Sequence, residues 1–315
     1  MKTDFRGTEI SDFLRCRKRY DYAWLQNLEP KQRSEKLTMG SAIHYFLELW
    51  YSDRRAIDAI DAMRQYITDN SEGLDEMQLE DMLLLATGIC TNYISNYGFD
   101  PNWTVRAVEL PFSVKLDDDT NYVGTIDLVV EDEDGHIWFI DHKTTSSLDI
   151  YDKNSDMDRQ ISRYWWALNQ LGYDVHGFIY NIILKEIPQE PKVLKSGALS
   201  KDKAQKTTAK MYRDAIEYHG FNEADYADFL QFLDEQPKEF FRRLKVERTP
   251  AERLAAIDEM EDVISDIRTA RSHYRNITKD CHWDCPFKSL CVAEMDGSNA
   301  DHIRTELFKV KEVTE

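Results

Sequence analysis

Two aspartates and a lysine stand within two apolar segments near the middle of the chain. Asp127 lies in the segment GTIDLVV at 124–130, and Asp141 and Lys143 lie at the end of IWFIDHK at 137–143. Carboxylate oxygens are hard ligands that suit magnesium or manganese. A lysine beside such an ion can orient the attacking water or help to deprotonate it. These residue types predict metal-dependent hydrolysis of a phosphodiester.

A β-hairpin would bring the three side chains together. Both segments are predicted to be buried strands joined by the acidic turn 132–135. With the turn centred on Asp134, residues whose numbers add up to 268 face each other, so Asp127 pairs with Asp141 and their Cβ atoms lie roughly 4.5–5.5 Å apart. Alternation then places Lys143 on the face of Asp141 and turns His142 away.

The charge of this constellation favours a bound cation. Opposed carboxylates on apolar strands are destabilising unless they are compensated, and Lys143 supplies only one positive charge. A divalent ion would balance the second carboxylate. The alternative interpretation is a buried ion pair between Asp127 and Lys143, with Asp141 capping a strand end.

The rest of the chain predicts an α/β protein, because helical and strand patterns alternate along it. A first helix is expected to have Ser11 as its N-cap. Further helices are predicted at 39–51, 55–69, 76–97, 156–171, 222–234 and 250–273. Strands are predicted at 104–115, 121–131, 136–143, 175–184 and 242–247.

Composition narrows the class of protein. The chain has 315 residues, 42% of them apolar, which is enough for a substantial core. Its 40 basic and 58 acidic residues give a net charge of −18, which disfavours binding nucleic acid by bulk attraction. No apolar run reaches the roughly 18 residues of a membrane span, and the N-terminus lacks the apolar stretch of a signal peptide. We therefore expect a cytoplasmic protein without a membrane partner.

The segments GTID at 124–127 and IDHK at 140–143 resemble the core of the PD-(D/E)XK nuclease superfamily, and specifically its RecB-like branch. The resemblance implies a restriction-endonuclease-like core, in which a mixed central sheet is flanked by helices, with helical N-terminal and C-terminal additions. It implies a single nuclease domain over 1–315. Within it, 1–100 would be a helical part, 101–185 the catalytic core, and 186–315 a basic loop, helices and cysteines.

The same resemblance implies a metal-binding set. In the RecB-like branch a histidine on an earlier helix binds the metal, and the matching feature here is GSAIH at 40–44. The implied ligands are His44, Asp127, Asp141 and the backbone carbonyl of His142. Glu109 is a further candidate, because this branch often has an acid on the first core strand.

A glutamine and a tyrosine on the helix after the lysine strand also match the branch. Gln160 and Tyr164 are four residues apart and share a helical face. The resemblance implies that they hold the substrate near the metal. Ordinary helix packing is the alternative for this pair.

Three of the five cysteines fall within eleven positions, at Cys281, Cys285 and Cys291. Such clustering favours a metal or cluster site over disulfides, and thiolates suit either an iron–sulfur cluster or zinc. RecB-like nucleases with a cluster take one cysteine before the core, which implies that Cys16 is the fourth ligand of a 4Fe-4S cluster. The spacing from Cys281 to Cys285 is one residue longer than that group usually has. Zinc with His282 in place of Cys16 is the alternative, and Cys90 is expected to be a buried core residue.

These features together predict a Mg²⁺- or Mn²⁺-dependent DNA nuclease. The resemblance favours an exonuclease on single-stranded or end-containing DNA in recombination, repair or phage DNA processing. A helicase, recombinase or integrase is an expected partner. The alternative is a catalytically inactive, cluster-containing subunit that binds DNA or supports assembly in a helicase or recombination complex.

An acidic nuclease needs local positive charge to hold DNA phosphates. The stretch 185–213 has a net charge of +5, from seven lysines and one arginine against three acids. Further candidates are the basic run Arg15, Arg17, Lys18 and Arg19. The residues predicted to contact nucleic acid are Lys185, Lys195, Lys201, Lys203, Lys206, Arg242 and Arg243.

Overall fold

The computed structural model describes residues 2–32, 34–52 and 56–311. The strands are β1 (Asp4–Arg6), β2 (Leu28–Pro30), β3 (Thr104–Asp117), β4 (Thr120–Glu131), β5 (Ile137–Thr145), β6 (Val175–Leu184), β7 (Phe241–Val246) and β8 (Phe308–Val310). The helices are α1 (Gly7–Arg15), α2 (Arg17–Tyr20), α3 (Glu35–Tyr51), α4 (Ala56–Asp69), α5 (Glu76–Tyr97), α6 (Asp149–Asn154), α7 (Arg159–Gln170), α8 (Ala209–His219), α9 (Ala227–Glu235), α10 (Pro250–Thr269), α11 (Asp280–Trp283), α12 (Lys288–Asp296) and α13 (Ala300–Leu307). A π-helical turn at Asp21–Leu25 and 3₁₀ turns at Ser155–Met157 and Glu223–Tyr226 complete the elements.

A mixed six-stranded sheet forms the centre of the molecule. Its order is β1-β4-β5-β6-β7, and β3 pairs with β4 as well. The pairs β3–β4, β4–β5 and β6–β7 are antiparallel, whereas β1–β4 and β5–β6 are parallel. The parallel step from β5 to β6 is made through α6 and α7, as a parallel connection requires.

Strand β4 changes partner along one of its edges. It pairs with β1 at Asn121–Val123 and with β5 at Leu128–Glu131, while β3 runs along its other edge. In the described residues, 124–127 have no strand partner on the first of these edges. The sheet therefore opens between β1 and β5, and Asp127 lies at the end of the opening.

Each face of the sheet has its own apolar core. On one face the helices α3, α4 and α5 pack over residues that include Leu128, Ile140 and Ile179. On the other, α1, α7 and α10 pack over residues that include Val129, Phe139 and Phe178. Alternating residues of β4, β5 and β6 thus enter opposite cores, which fixes which side chains can reach the opening.

Two smaller cores lie outside the sheet. One joins α8 and α9, which follow the long connection after β6. The other joins the two ends of the chain, where Tyr22 and Leu28 pack with Phe287, Leu290 and Phe308. Here β2 and β8 form a separate antiparallel pair.

The predicted restriction-endonuclease-like α/β fold, with its mixed central sheet flanked by helices, is confirmed. The hairpin register is also confirmed, since Leu128 faces Ile140 and Val130 faces Trp138, and both pairs add up to 268. The predicted pair of Asp127 with Asp141 is not formed, because the ladder between β4 and β5 ends at Leu128 and Ile140. The predicted helix 55–69 begins at a residue outside the described ranges and is observed as α4. None of the helices in the described part of the chain is both long and apolar enough to cross a membrane.

Some predicted boundaries are wrong. Ser11 is not an N-cap, because α1 starts at Gly7, directly after β1, and Ser11 Oγ donates to the Gly7 carbonyl inside the helix. The predicted helix at 156–171 is observed as α7, which follows the 3₁₀ turn at Ser155–Met157. Helices α6, α8, α11, α12 and α13 were not predicted.

Candidate active site

Asp127 sits where the ladders on both sides of β4 are interrupted. The ladder to β5 stops at Leu128, and on the other side Glu109 would be the partner of Asp127 but is skipped by the β3–β4 ladder. Oδ2 of Asp127 accepts a hydrogen bond of 2.8 Å from the backbone N–H of His142. This bond keeps the carboxylate beside β5 although the strands separate there.

Helix α3 brings His44 to the same point. Its Nδ1 lies 3.5 Å from Oδ2 of Asp127. One ligand atom each from His44, Glu109 and Asp127 lie within 4.8 Å of one another. An imidazole and two carboxylates from three separate elements therefore converge on one small volume.

Glu109 reaches this volume through an unusual backbone. Its φ of 45° is left-handed, a conformation that non-glycine residues seldom adopt. Burial, reinforced by the negative charges of Asp127 and Glu48, raises the pKa of Glu109 to about 7. The carboxylates repel one another, and a cation among them would relieve the repulsion.

Glu48 is a site residue that the sequence analysis did not assign. It lies on α3 one turn after His44, and its charge acts on Glu109. Its spacing of four residues from His44 places both on one face of the helix. That spacing was visible in the sequence.

Asp141 and Lys143 form an ion pair next to this group. Nζ of Lys143 lies 2.6 Å from Oδ2 of Asp141. Burial raises the pKa of Asp141, and Lys143 offsets part of that effect. Burial opposes the charge of Lys143, but the carboxylates of Asp141 and Asp127 outweigh it and raise the pKa of the ammonium. Lys143 is consequently a cation at neutral pH.

Helix α7 places Gln160 and Tyr164 against the same pair. Asp158 caps the helix by accepting from the backbone N–H of Gln160 at 2.8 Å. Nζ of Lys143 donates to Oε1 of Gln160 at 3.4 Å. Burial raises the pKa of Tyr164, whose side chain is hydrogen-bonded to Gln160. The predicted glutamine and tyrosine are thus brought to the lysine.

His142 faces away from the opening, as predicted. Its ring is buried, and its Nδ1 lies 2.8 Å from Nδ2 of Asn181 on β6. Its backbone N–H, rather than its side chain, is what contacts Asp127. The role of its carbonyl as a ligand stays a prediction.

The residues around the opening fit a hard divalent cation. The donor set consists of carboxylate oxygens and one imidazole nitrogen, which suits magnesium or manganese. Burial, together with neighbouring carboxylates, raises the pKa values of Glu109 and Asp141, so a cation at this point would favour their charged forms. The arrangement can therefore hold a metal beside the amino group of Lys143.

The four cysteines outside the core lie around one cavity. Cys16, Cys281, Cys285 and Cys291 all line it. Arg275 Nε donates to Cys291 Sγ at 3.2 Å, and the Asn276 N–H donates to Cys16 Sγ at 3.4 Å. Burial raises the pKa of Cys285. His282, the alternative ligand, is exposed and does not line the cavity, and Cys90 is buried in the core as expected.

Two of the predicted DNA contacts are engaged elsewhere. Arg243 binds buried Asp100 at 2.5 and 2.8 Å. Arg242 pairs with Glu239, Asp149 and Asp152 on the surface. Both arginines thus have acidic partners that the sequence did not reveal, and their contact with DNA stays a prediction.

The other basic candidates are distributed over two regions. Arg15, Lys18 and Arg19 line the cysteine cavity, and Arg17 approaches Asp266 at 3.4 Å. In the connection after β6, the lysines have the following surroundings: Lys201 donates to the Asp225 carbonyl, Lys203 lies over Phe232, Lys206 pairs with Glu186, and Lys195 is exposed.

Lys185 is the predicted DNA contact that lies beside the active site. Its N–H bonds the carbonyl of Thr145, at the end of β5. Burial and the charge of Lys36 lower the pKa of Lys185. In the part of the chain that the structure describes, neither the ammonium group of Lys185 nor that of Lys36 has a carboxylate partner.

Comparison with known proteins yields one family. The model of the PD-(D/E)XK nuclease superfamily matches residues 7–292. Among solved structures, SSO0001 is 14% identical, with 93% of this chain and 87% of that chain covered and a TM-score of 0.35. A protein of Eubacterium rectale described as "Putative exonuclease" is 12% identical, with 89% and 92% covered and a TM-score of 0.38. No curated protein matches the chain.

Proposed function

The chain belongs to the PD-(D/E)XK nuclease superfamily, and from this premise we propose that it is a metal-dependent DNA nuclease of the RecB-like branch. The observation that carries the proposal is the convergence of His44, Glu109 and Asp127 within 4.8 Å, beside the pair of Asp141 and Lys143. An exonuclease that degrades single-stranded DNA or DNA with free ends is the activity we favour.

The metal would be Mg²⁺ or Mn²⁺, held by His44, Asp127 and Asp141, with Glu109 and the His142 carbonyl as further ligands. When bound, it supplies a lowered pKa for a coordinated water and neutralises charge on the phosphate. Lys143, paired with Asp141, would orient the attacking water or help to deprotonate it. Gln160 fixes Lys143 by accepting its hydrogen bond, and Tyr164 steadies Gln160.

Lys36 and Lys185 are the residues we assign to the phosphates next to the scissile one. Helix α3 passes close to the end of β5 at Gly40, where a Cβ would lie 3.3 Å from Oγ1 of Thr144. Lys36 is one turn before Gly40, and Lys185 bonds the next residue of β5. Two ammonium groups that have no carboxylate partner among the described residues would provide local attraction near the proposed metal site in an acidic protein.

The cysteine cavity is proposed to hold a 4Fe-4S cluster. A single tetrahedral zinc ion with Zn–S bonds of 2.3 Å would bring thiolates to within about 3.8 Å of one another. Among the described residues, no three of these sulfur atoms lie within 4.8 Å of one another. The spacing of the sulfur atoms therefore does not support zinc, and the resemblance to cluster-containing RecB-like nucleases is what favours iron and sulfide.

Chain organisation agrees with a single nuclease domain over 1–315. The first and last segments meet at the β2–β8 pair and at the cysteine cavity, so the ends enclose the core instead of forming separate units. We place the protein in the cytoplasm, in recombination, repair or phage DNA processing, with a helicase, recombinase or integrase as its partner.

The function is tested by degradation of end-labelled single-stranded and double-stranded DNA with Mg²⁺ or Mn²⁺. We expect activity that EDTA abolishes and that falls at least a hundredfold in Asp127→Asn and Lys143→Met, because both change the reacting centre. Asp134→Asn is the matched control, since this exposed acid lies in the turn at the far end of the same hairpin. Closed circular single strands should resist cleavage if the enzyme is an exonuclease. Equal activity in all variants would contradict the proposal and favour a subunit that only binds DNA.

A further inference from the structure

A row of polar side chains crosses the sheet directly behind the active site. His142 on β5 faces Asn181 on β6, and Asn181 faces Arg243 on β7. His142 and Asn181 are buried, at 3% and 1% exposure, and Arg243 is largely covered. We call His142, Asn181 and Arg243 the polar row.

Two tyrosines and an aspartate connect the row to the covering helices. Asn181 Nδ2 donates to the hydroxyl of Tyr93 on α5 at 2.9 Å. That hydroxyl lies 2.8 Å from the hydroxyl of Tyr51 on α3, which donates to Asp100 at 2.8 Å. Arg243 donates to Asp100, and its guanidinium lies over the ring of Tyr97. The hydrogen bonds form one continuous network from His142 to Asp100.

The network meets the proposed metal site from two sides. On β5, the backbone N–H of His142 holds Oδ2 of Asp127. On α3, Tyr51 follows His44 by two helical turns, and the rings of both lie against the ring of His142, with centroids at 6.0 and 5.9 Å. The network therefore ties together the helix that carries His44 and the strand end that holds Asp127.

Stability alone does not explain such a network. Replacing a buried polar network by well-packed apolar residues is often neutral or stabilising. Hydrogen bonds, however, have a narrow range of length and angle, so they fix a spacing that apolar contacts would leave loose. A metal site requires such spacing, because ligand atoms must lie within a few tenths of an ångström of their ideal positions.

We propose that the polar row, with Tyr51, Tyr93 and Asp100, is a positioning device that sets the separation of His44 and Asp127 for cation binding. The proposal rests on the proposed function and deepens it. Asn181 is the central residue, since it contacts both His142 and Tyr93. The side chains of the network touch neither substrate nor metal, and they act through the residues they hold.

The test is direct titration of Mn²⁺ into metal-free protein by calorimetry, together with nuclease activity as a function of Mn²⁺. Asn181→Leu removes both hydrogen bonds at nearly constant volume, and Tyr93→Phe removes one hydroxyl and keeps the ring. Tyr212→Phe is the matched control, because its fully buried hydroxyl bonds the Ser200 carbonyl in the core of α8 and α9.

We expect the Mn²⁺ dissociation constant to rise about tenfold or more in Asn181→Leu and Tyr93→Phe. Losing a residue that orients a metal ligand typically lowers metal affinity by about that much. It should be unchanged in Tyr212→Phe. At saturating Mn²⁺ the turnover of Tyr93→Phe should approach that of the wild type, which a general loss of structure would not allow.

Two results would overturn the inference in distinguishable ways. If Asp127→Asn abolishes Mn²⁺ binding but Asn181→Leu and Tyr93→Phe bind as the wild type does, the network is only structural and the proposed function stands. If Asp127→Asn binds Mn²⁺ as tightly as the wild type, the metal site itself is misplaced, and the positioning role fails with it.

Discussion

Glu109 combines two features of the site that are unfavourable for folding. Its backbone is left-handed, and its carboxylate is partly buried near Asp127 and Glu48. Each of these features is unfavourable by itself, and together they indicate a position maintained by the surrounding structure. The protein tolerates them because β3 and β4 pair firmly on both sides of the interruption.

The substitution Glu109→Gln should therefore stabilise metal-free protein, and only at high pH. A carboxyl whose folded pKa is raised favours the folded state while it is protonated and disfavours it once it is charged. The pKa of about 7, against an ordinary 4.5, means that stability is lost as pH rises from about 4 to above 7, on the order of 1–2 kcal/mol once solvent screening of the half-buried carboxyl is allowed for. Urea unfolding in EDTA at pH 5 and pH 8 measures the difference. Equal effects at both pH values would contradict this account.

Residue types gave most of the site before the fold was known. Asp127, Asp141 and Lys143 were identified from strand alternation, and their geometry agrees with the hairpin register. The left-handed backbone of Glu109 and the ion pair between Arg243 and Asp100 could not be predicted from the sequence. Both depend on contacts between segments far apart in the chain, where local pattern carries no information.

At the scale of elements, the close packing of β3 against β4 supports the helix that carries Tyr164. Gly124 lies opposite Phe112, and a Cβ on Gly124 would come within 2.7 Å of the Phe112 ring. That ring packs edge-on against Tyr164, with centroids 5.6 Å apart. The glycine thus allows an aromatic contact that supports the side chain on α7.

Gly124→Ala should displace the Phe112 ring and, through it, Tyr164. Overpacking of this kind typically costs about 1–3 kcal/mol. Phe112→Leu alone should weaken the support of Tyr164, but in the double variant the smaller side chain makes room for the new methyl group. Stabilities and activities of the two single variants and the double variant give the coupling. Strictly additive effects would show that the contact does not transmit the displacement.

Elements with strong periodicity were predicted well, and elements set by their neighbours were not. The strand β6 and the helix α5 were found with correct ends, because apolar runs and caps define them locally. Helix α1 begins earlier than predicted because β1 pairs with β4 immediately before it. Helix α8 begins in a lysine-rich stretch that favoured a loop, although Thr208 caps it, Gly220 ends it and its apolar residues pack on α9.

At the scale of the whole molecule, the two chain ends close around the nuclease core. The cavity lined by Cys16 and the three C-terminal cysteines lies next to the small core that contains Tyr22 and Phe287. Basic side chains line it with the thiols, and Arg275 donates to Cys291 directly. This positive charge would offset part of the negative charge of a cluster that is bound by thiolates.

Loss of one cavity cysteine should release both ends at once. A ligand bridge between Cys16 and the C-terminal cysteines closes a loop of more than 260 residues, and such long loops gain most from closure. In protein purified without oxygen, we expect about four iron and four sulfide per wild-type chain, and loss of both with early proteolysis of the termini in Cys16→Ser. Cys90→Ser is the matched control. Cys90 is a buried cysteine outside the cavity, so this substitution should lower stability yet keep the full iron content.

Two results would contradict this account. One equivalent of zinc without sulfide would refute the cluster, and unchanged proteolysis in Cys16→Ser would show that β2 and β8 hold the ends together without it.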